Sequence, residues 1–290
     1  MNRQRICISA IIGVLVLATL LVAGCVGEDP AEQKKEISIG YVTWDCAIAS
    51  THVIEQVFEQ AGYDVEIVAV DAGPLYAALA NGDVDFTTNA WLPHIHQHFW
   101  EEYGERIDYV NANIKGNGRH GIVVPAYVTI DSIEEMNDYA DKFDNRIIGV
   151  EPGAGVMTMT ENAIENYDLD FELVASSSAG MAAALRSSIN DEEWIAVTGW
   201  SPHWKFGRFD LKFLDDPEKD YGEFDDIVTL ARMGLKEDDP TAYGILERFE
   251  WTADDIASVM TDIESGMPED EAAATWINAN QATVDAWIGN

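Results

Sequence analysis

Cysteine is scarce in this chain of 290 residues, and the positions of its three copies matter. Cys7 and Cys25 fall in an N-terminal apolar segment, so Cys46 is the single thiol of the body. No internal disulfide can form there, nor a metal centre built on several thiolates. Basic residues are few beside the acids: 17 Lys and Arg against 52 Asp and Glu, a formal net charge of −35. A surface that grips nucleic acid by neutralising phosphates needs Lys and Arg, so that class of partner is excluded. The acids run through the whole chain and do not form a tail. Solubility alone does not require such an excess. Adaptation to concentrated salt accounts for it better, because screening shortens the reach of like-charge repulsion to about 3 Å at 1 M. Equal stability in dilute and molar salt by circular dichroism would argue against that adaptation. Catalytic signatures are absent too: there is no Gly-x-Ser-x-Gly elbow, no His-Glu-x-x-His and no phosphate-binding Walker loop. Asp83 and Asp85 form an Asp-x-Asp pair, which so acidic a chain produces by chance. Internal repeats and low-complexity runs are also missing.

What is present begins with an export segment, residues 1–25. Arg3 and Arg5 give a positive start, residues 6–24 carry no charge, and the stretch closes Leu21-Val22-Ala23-Gly24-Cys25. That ending resembles a bacterial lipobox, with Cys25 as the site of thioether lipid attachment. An uncleaved membrane anchor is the competing reading, since the uncharged stretch is nearly long enough to span. The small residues before Cys25 favour lipid. Both readings place the body outside the cell, tethered to the membrane. Residues 26–36 are charged, contain Pro30 and show no apolar period, as expected of a flexible linker.

Hydrophobic residues make up 47% of the chain, enough for a substantial core in one large or two medium domains. Strand-like and helix-like segments alternate from residue 37 onward. Strands are predicted at 37–42, 65–70, 84–87 and 121–124, with helices at 50–61, 74–80 and 95–103 between them. A second unit follows. Ser132 and Glu135 have capping-box spacing and predict a helix start. Strands at 146–150, 171–174 and 194–197 alternate with helices at 156–166 and 179–189. A late strand at 227–230 precedes helices at 240–249, 252–266 and 268–288. Alternation of this kind predicts βαβ units, mostly parallel sheets and two lobes. The expected division is 37–122 plus 229–290 for the first lobe and 123–228 for the second.

Four segments stand at the ends of predicted strands: Gly40-Tyr41-Val42-Thr43-Trp44-Asp45, Asn89-Ala90-Trp91-Leu92-Pro93, Glu151-Pro152-Gly153-Ala154-Gly155 and Thr198-Gly199-Trp200-Ser201-Pro202. Ligands of open α/β sheets bind at the carboxyl ends of strands. Trp44, Trp91 and Trp200 lie beside turn residues, where core burial is less expected. Trp194, Trp251, Trp276 and Trp287 lie within predicted elements and read as core; Trp100 is unassigned, and Trp204 is a candidate to flank a pocket. A quaternary ammonium has no N–H to donate, and indole faces attract it through their quadrupoles. The turn 152–156 joins a strand to a helix, where free amides and the helix dipole favour a carboxylate; a plain tight connection is the alternative. Together these features suit a small zwitterion with a bulky cationic head. His94, His96 and His98 alternate. They read as a metal site, as polar residues opening a helix, or as the source of one donor to a bound carboxylate, and spacing does not choose among them.

These residues resemble the Opu-type glycine betaine substrate-binding proteins of ABC importers. The likeness is carried by 40–45, 72–74, 90–96, 121–125, 149–157, 198–204 and 249–252, in order along nearly all of 37–290. It implies an α/β, two-lobed type II periplasmic-binding-protein fold with two crossovers between lobes. It implies a cage of Trp44, Trp91 and Trp200 around a trimethylammonium group. The tryptophan–leucine–proline–x–x–histidine pattern selects His96 as carboxylate donor, joined by the backbone amides of Gly155 and Val156. The family occurs in circularly permuted orders; here the half with Trp44 and Trp91 comes first. The resemblance further implies no enzyme activity and no cofactor, a permease and its ATPase as partners, and glycine betaine or proline betaine as ligand. The rival readings are a metal-binding lipoprotein using the histidine run, a choline or carnitine receptor, and an extracellular enzyme acting on small amines. A carboxylate-binding turn favours betaine over choline.

Overall fold

The computed structural model describes residues 34–289. The export segment, Cys25 and most of the linker lie outside them. Strand β1 (Lys35–Tyr41) pairs in parallel with β2 (Tyr63–Ala69) from end to end, with helix α1 (Asp45–Gln60) as the connection. Val53, Ile54, Val57 and Phe58 of α1 are fully buried, each contributing about 1.5–3 kcal/mol of apolar burial. Helix α2 (Ala72–Asn81) closes on Gly82 at φ 77°, a left-handed position that glycine takes without strain. Strand β3 (Phe86–Leu92) is buried along its whole length. A turn and helix α3 (Gln97–Tyr103) lead into β4 (Ile107–Pro125), a strand of 19 residues.

The second half repeats the scheme. Strand β5 (Arg146–Ile148), helix α4 (Gly155–Asn166), β6 (Glu172–Val174), α5 (Ser178–Asn190) and β7 (Ala196–Ser201) form its parallel unit. Short α6 (Lys205–Arg208) and β8 (Leu211–Phe213) follow, then β9 (Asp225–Arg232). The tail comprises α7 (Leu235–Asp238), α8 (Pro240–Arg248), α9 (Ala253–Glu264), α10 (Glu269–Ala279) and α11 (Gln281–Ile288). Helices α9 and α10 pack against α1, so the tail returns to the first half.

The strands form one curled sheet in the order β2-β1-β3-β9-β4-β7-β5-β6, with β8 beside β4. Strand β4 connects the two halves: residues 107–118 pair with β9, and residues 119–123 pair with β7. The fold is two-lobed, as the sequence implies, with β4 and the segment entering β9 crossing between lobes. The crossing strands run antiparallel to their neighbours, where mostly parallel pairing was predicted. Strand β4 leaves the first lobe and β9 returns to it beside β4 in the opposite direction.

Other local expectations need correction. Residues 107–120, for which no element was predicted, are strand: their Asn and Gly content is poor for β structure, but pairing with β9 and β7 overrides it. The segment after Ser132 has the capping box, yet it is a 3-10 stretch (Ile133–Phe143) that breaks at Tyr139. The expected helix 268–288 is two helices that meet at Asn280. Trp251, Trp276 and Trp287 are buried together beside Phe249, with Trp276 and Trp287 stacked at 5.6 Å between centroids. Trp194 is half-buried against Phe143. Trp100 packs edge-on to Tyr109.

Candidate functional site

The carboxyl ends of β1, β3, β5 and β7 converge on one cavity, whose empty space, its opening to solvent included, is about 310 Å³. Trp44, Trp91, Trp200, His96, Gly155 and Val156, the six residues singled out from sequence, all line it. Cys46, Ile95, His120, Val150 and Ala154 complete the wall and were not anticipated.

Each indole is held by its surroundings. Trp44 caps the start of α1, and its Nε1 donates to Glu151 Oε1 at 2.6 Å. Trp91 Nε1 donates to Asn89 Oδ1 at 2.9 Å, which turns the polar edge of the ring away from any ligand. A Cβ on Gly118 would come within 2.9 Å of the Trp91 ring, so this glycine makes room for it. His120 meets Trp91 edge-on at 4.8 Å and stands opposite Trp200 in the β4–β7 register. Trp44 tilts against His96 at 5.6 Å. The rings are 2–7% exposed, so a cation between them would be largely stripped of water.

The geometry distinguishes the three histidines. His96 Nδ1 accepts the backbone N–H of Trp91 at 3.1 Å and lies 3.1 Å from the Tyr76 hydroxyl. That contact assigns the hydrogen to Nε2, leaving an N–H donor on the other side of the ring. Burial pushes the His96 pKa down to about 3, so the ring is neutral at physiological pH. His98 is exposed and packs on Phe99 at 3.8 Å, while His94 is half-buried beside Gly222. The three do not converge, and among the described residues no His, Cys, Asp and Glu group is arranged to hold a metal ion. Asp225, fully buried, fixes the turn after Trp91: its two oxygens accept from the amides of His94 at 2.6 Å and Ile95 at 3.0 Å.

Helix α4 opens on Gly155 without a capping side chain. The first-turn amides of Gly155 and Val156 have no acceptor within the helix, and they point the positive end of its dipole at the cavity. A Cβ on Gly155 would strike the carbonyl of Ile95, so only glycine lets the two lobes approach here. Beside the cavity, Asp45 of α1 accepts from Ser178 Oγ at 2.6 Å and Trp204 Nε1 at 2.8 Å, both from the other lobe. Trp204 therefore bridges the lobes and does not line the void.

Sequence reading missed His120 and Asp225 because each owes its place to a crossing strand. The one local signal was Gly118, a glycine inside an extended stretch, which often marks close approach of another group.

The model of one protein family, the substrate-binding domain of ABC-type glycine betaine transport systems, matches residues 35–279. The glycine betaine/carnitine transport binding protein GbuC of Listeria monocytogenes is 43% identical over 162 residues, 55% of this chain and 54% of that protein. The match thus spans about half the length of that relative. Among solved structures, lactococcal OpuAC, closed and complexed with glycine betaine, superposes with a TM-score of 0.84 at 41% identity, covering 88% of this chain and 100% of that one. The glycine betaine/L-proline-binding protein ProX of Borrelia burgdorferi gives a TM-score of 0.84 at 39% identity, covering 87% and 96%. The matched family is one of substrate-binding receptors of ABC transporters, not of enzymes. The family match covers most of the chain, and the cavity carries the indoles, histidine and glycine turn picked out from sequence: the chain belongs to the family of substrate-binding domains of ABC-type glycine betaine transport systems.

Proposed function

We propose that this protein captures glycine betaine, or a close relative such as proline betaine, between its lobes and delivers it to a membrane permease driven by an intracellular ATPase. One observation carries the reading: three indole faces, one neutral N–H donor and an uncapped helix N-terminus share a single cavity. Trp44, Trp91 and Trp200 take the trimethylammonium, each face worth about 0.5–2 kcal/mol when desolvated. The carboxylate goes to His96 Nε2–H and the amides of Gly155 and Val156. No bond of the ligand is made or broken. The lobe boundaries expected from sequence, 37–122 plus 229–290 and 123–228, are supported to within a few residues by the sheet pairing, which changes partners after Gly118 and returns at Asp225. Lipid on Cys25 tethers the receptor to the membrane, and a mature protein whose intact mass begins at an unmodified N-terminal methionine would remove that part of the reading.

Calorimetry with glycine betaine, proline betaine, choline and carnitine tests the ligand. The two betaines are expected to bind, with choline weaker because it has no carboxylate for His96 and the α4 amides. His96→Ala is expected to weaken betaine by about tenfold and to leave choline nearly unchanged, since only one of the two ligands presents an acceptor. Equal losses for both ligands would move the donor role elsewhere.

A further inference from the structure

A buried cation stands behind the cage without a hydrogen-bond partner. Lys205, the first residue of α6, has no exposed surface, and its Nζ meets no acceptor. It faces an indole: Nζ lies 4.4 Å from the centroid of the Trp200 ring. The Phe206 ring is further away, at 5.9 Å. Trp200 lines the cavity and Lys205 does not, so the amine lies against the ring and outside the void. Leaving an amine dry and unpaired is costly. An apolar side chain of similar length would fill this place without that cost, so the amine calls for a role.

We propose that Lys205 sets the affinity of the receptor: its ammonium occupies the far face of Trp200 and opposes, through the ring, the cationic head of a ligand on the near face. The inference rests on the cage reading above. A ring polarised by one cation has less negative potential to offer a second. The two charges also repel directly in a medium of low dielectric. Ligand therefore binds more tightly when Lys205 is neutral, and binding expels its proton. By linkage the effect is reciprocal: affinity rises as the amine loses its proton.

The groups around Nζ leave this linkage to Lys205. Burial draws the amine down to about 7, against the pull of the Asp45 carboxylate and the Cys46 thiol on α1. Hydrogen bonds hold Asp45 ionised, and burial pushes the Cys46 thiol up to about 12. His120 of β4 is lowered to about 3 and His203, before α6, to about 4, each chiefly by burial. Of the groups that face it, Lys205 alone changes charge between pH 5.5 and 9, a window set by its value of about 7.

The test is calorimetry with glycine betaine at pH 5.5, 7 and 9, in two buffers of different ionisation heat. Wild type is expected to tighten roughly three- to tenfold from low to high pH. Near pH 7 it should release a fraction of a proton, which needs no variant to detect. K205M is expected to be flat with pH and close to the wild-type value at pH 9. A wild type that binds betaine with no pH dependence and no proton release overturns the inference. So does a K205M profile that follows wild type, which would assign the proton to another group. Absence of betaine binding by wild type at every pH would instead overturn the cage reading, and this inference with it.

Discussion

Trp91→Ala is expected to weaken glycine betaine binding by at least tenfold, about 1.4 kcal/mol, with Trp91→Phe milder. The ring is 2% exposed and fixed on three sides: by the bond to Asn89, the edge of His120 and the space left at Gly118. Its free face is therefore already oriented when ligand arrives, and little ordering cost offsets the attraction. Alanine removes that face and leaves a void where a cation would contact water-sized space in place of π density. Phenylalanine keeps a smaller quadrupole and part of the contact. The same truncation of a buried indole costs about 3–5 kcal/mol of folding stability, so calorimetry belongs well below the lowered midpoint of the variant, with circular dichroism to verify the fold. Unchanged affinity in folded Trp91→Ala would remove this indole from the cage.

Asp45→Ala is expected to raise the dissociation rate of betaine by on the order of tenfold or more, with the association rate nearly unchanged. The carboxylate stands in the first turn of α1, next to Trp44, and its partners belong to the other lobe. Ser178 and Trp204 donate to it, and His203 Nε2 lies 3.4 Å from Oδ2. His203 Nδ1 accepts the amide of Lys205 at 3.2 Å, so the hydrogen of this ring is on Nε2, facing the carboxylate. These donors meet Asp45 only when the lobes are together, so their loss speeds opening more than it slows encounter. Burial alone would raise the Asp45 pKa, but the nearby His203 ring and the hydrogen bonds from Ser178 and Trp204 outweigh it and hold the carboxyl well below the usual range. A depressed pKa stabilises the closed form above the ordinary carboxylate range, and that contribution fades only as pH falls through the depressed value. Asp45 is thus expected to add no pH dependence between pH 5 and 9, which leaves that window to Lys205. Stopped-flow tryptophan fluorescence reads both rates; a dissociation rate equal to wild type would show that this carboxylate does not hold the lobes closed.

Both substitutions act on residues adjoining strand ends, and that is where the sequence was most legible. Trp44, Trp91 and Trp200 could be singled out because each follows an apolar run and precedes turn residues. The 152–156 turn stood out as a glycine-bearing strand-to-helix connection, and its alternative, a plain tight connection, was left open by the residues alone. The helix before Phe249 was legible from Pro240 at its start, and the side chain of Asp239 caps it as that position allows. Thr252 caps the helix expected from 252, with Asp255 completing the reciprocal pair. At Ser132 the same local device was present, but the chain beyond it kinks at Tyr139. A cap specifies where a helix begins and says nothing of how far packing lets it run.

The choice of His96 illustrates the difference in scale. Three alternating histidines left the donor open on spacing alone, and only resemblance selected one. In the fold, the Trp91 amide supplies the reason by holding Nδ1, and Asp225 supplies the turn that makes this possible. Asp225 is 129 residues from His96, and nothing near it in the chain announces the task. His120 and Lys205 were missed for the same reason: one is placed by β4 pairing with β7, the other by folding back over a tryptophan five residues earlier.

By itself the sequence determined the kinds of group available and their local settings: indoles and a glycine turn at strand ends, an acid-rich surface, alternating strands and helices, and no machinery for bond chemistry. Tertiary structure alone decided that those groups share one cavity, which histidine nitrogen carries the hydrogen, and which carboxylate spans the lobes. The physical reason is range. Propensity, capping and turn geometry act over a few residues, whereas the cavity is closed by two crossing strands whose partners are distant in the chain, and a group's protonation and orientation follow from what packing brings against it.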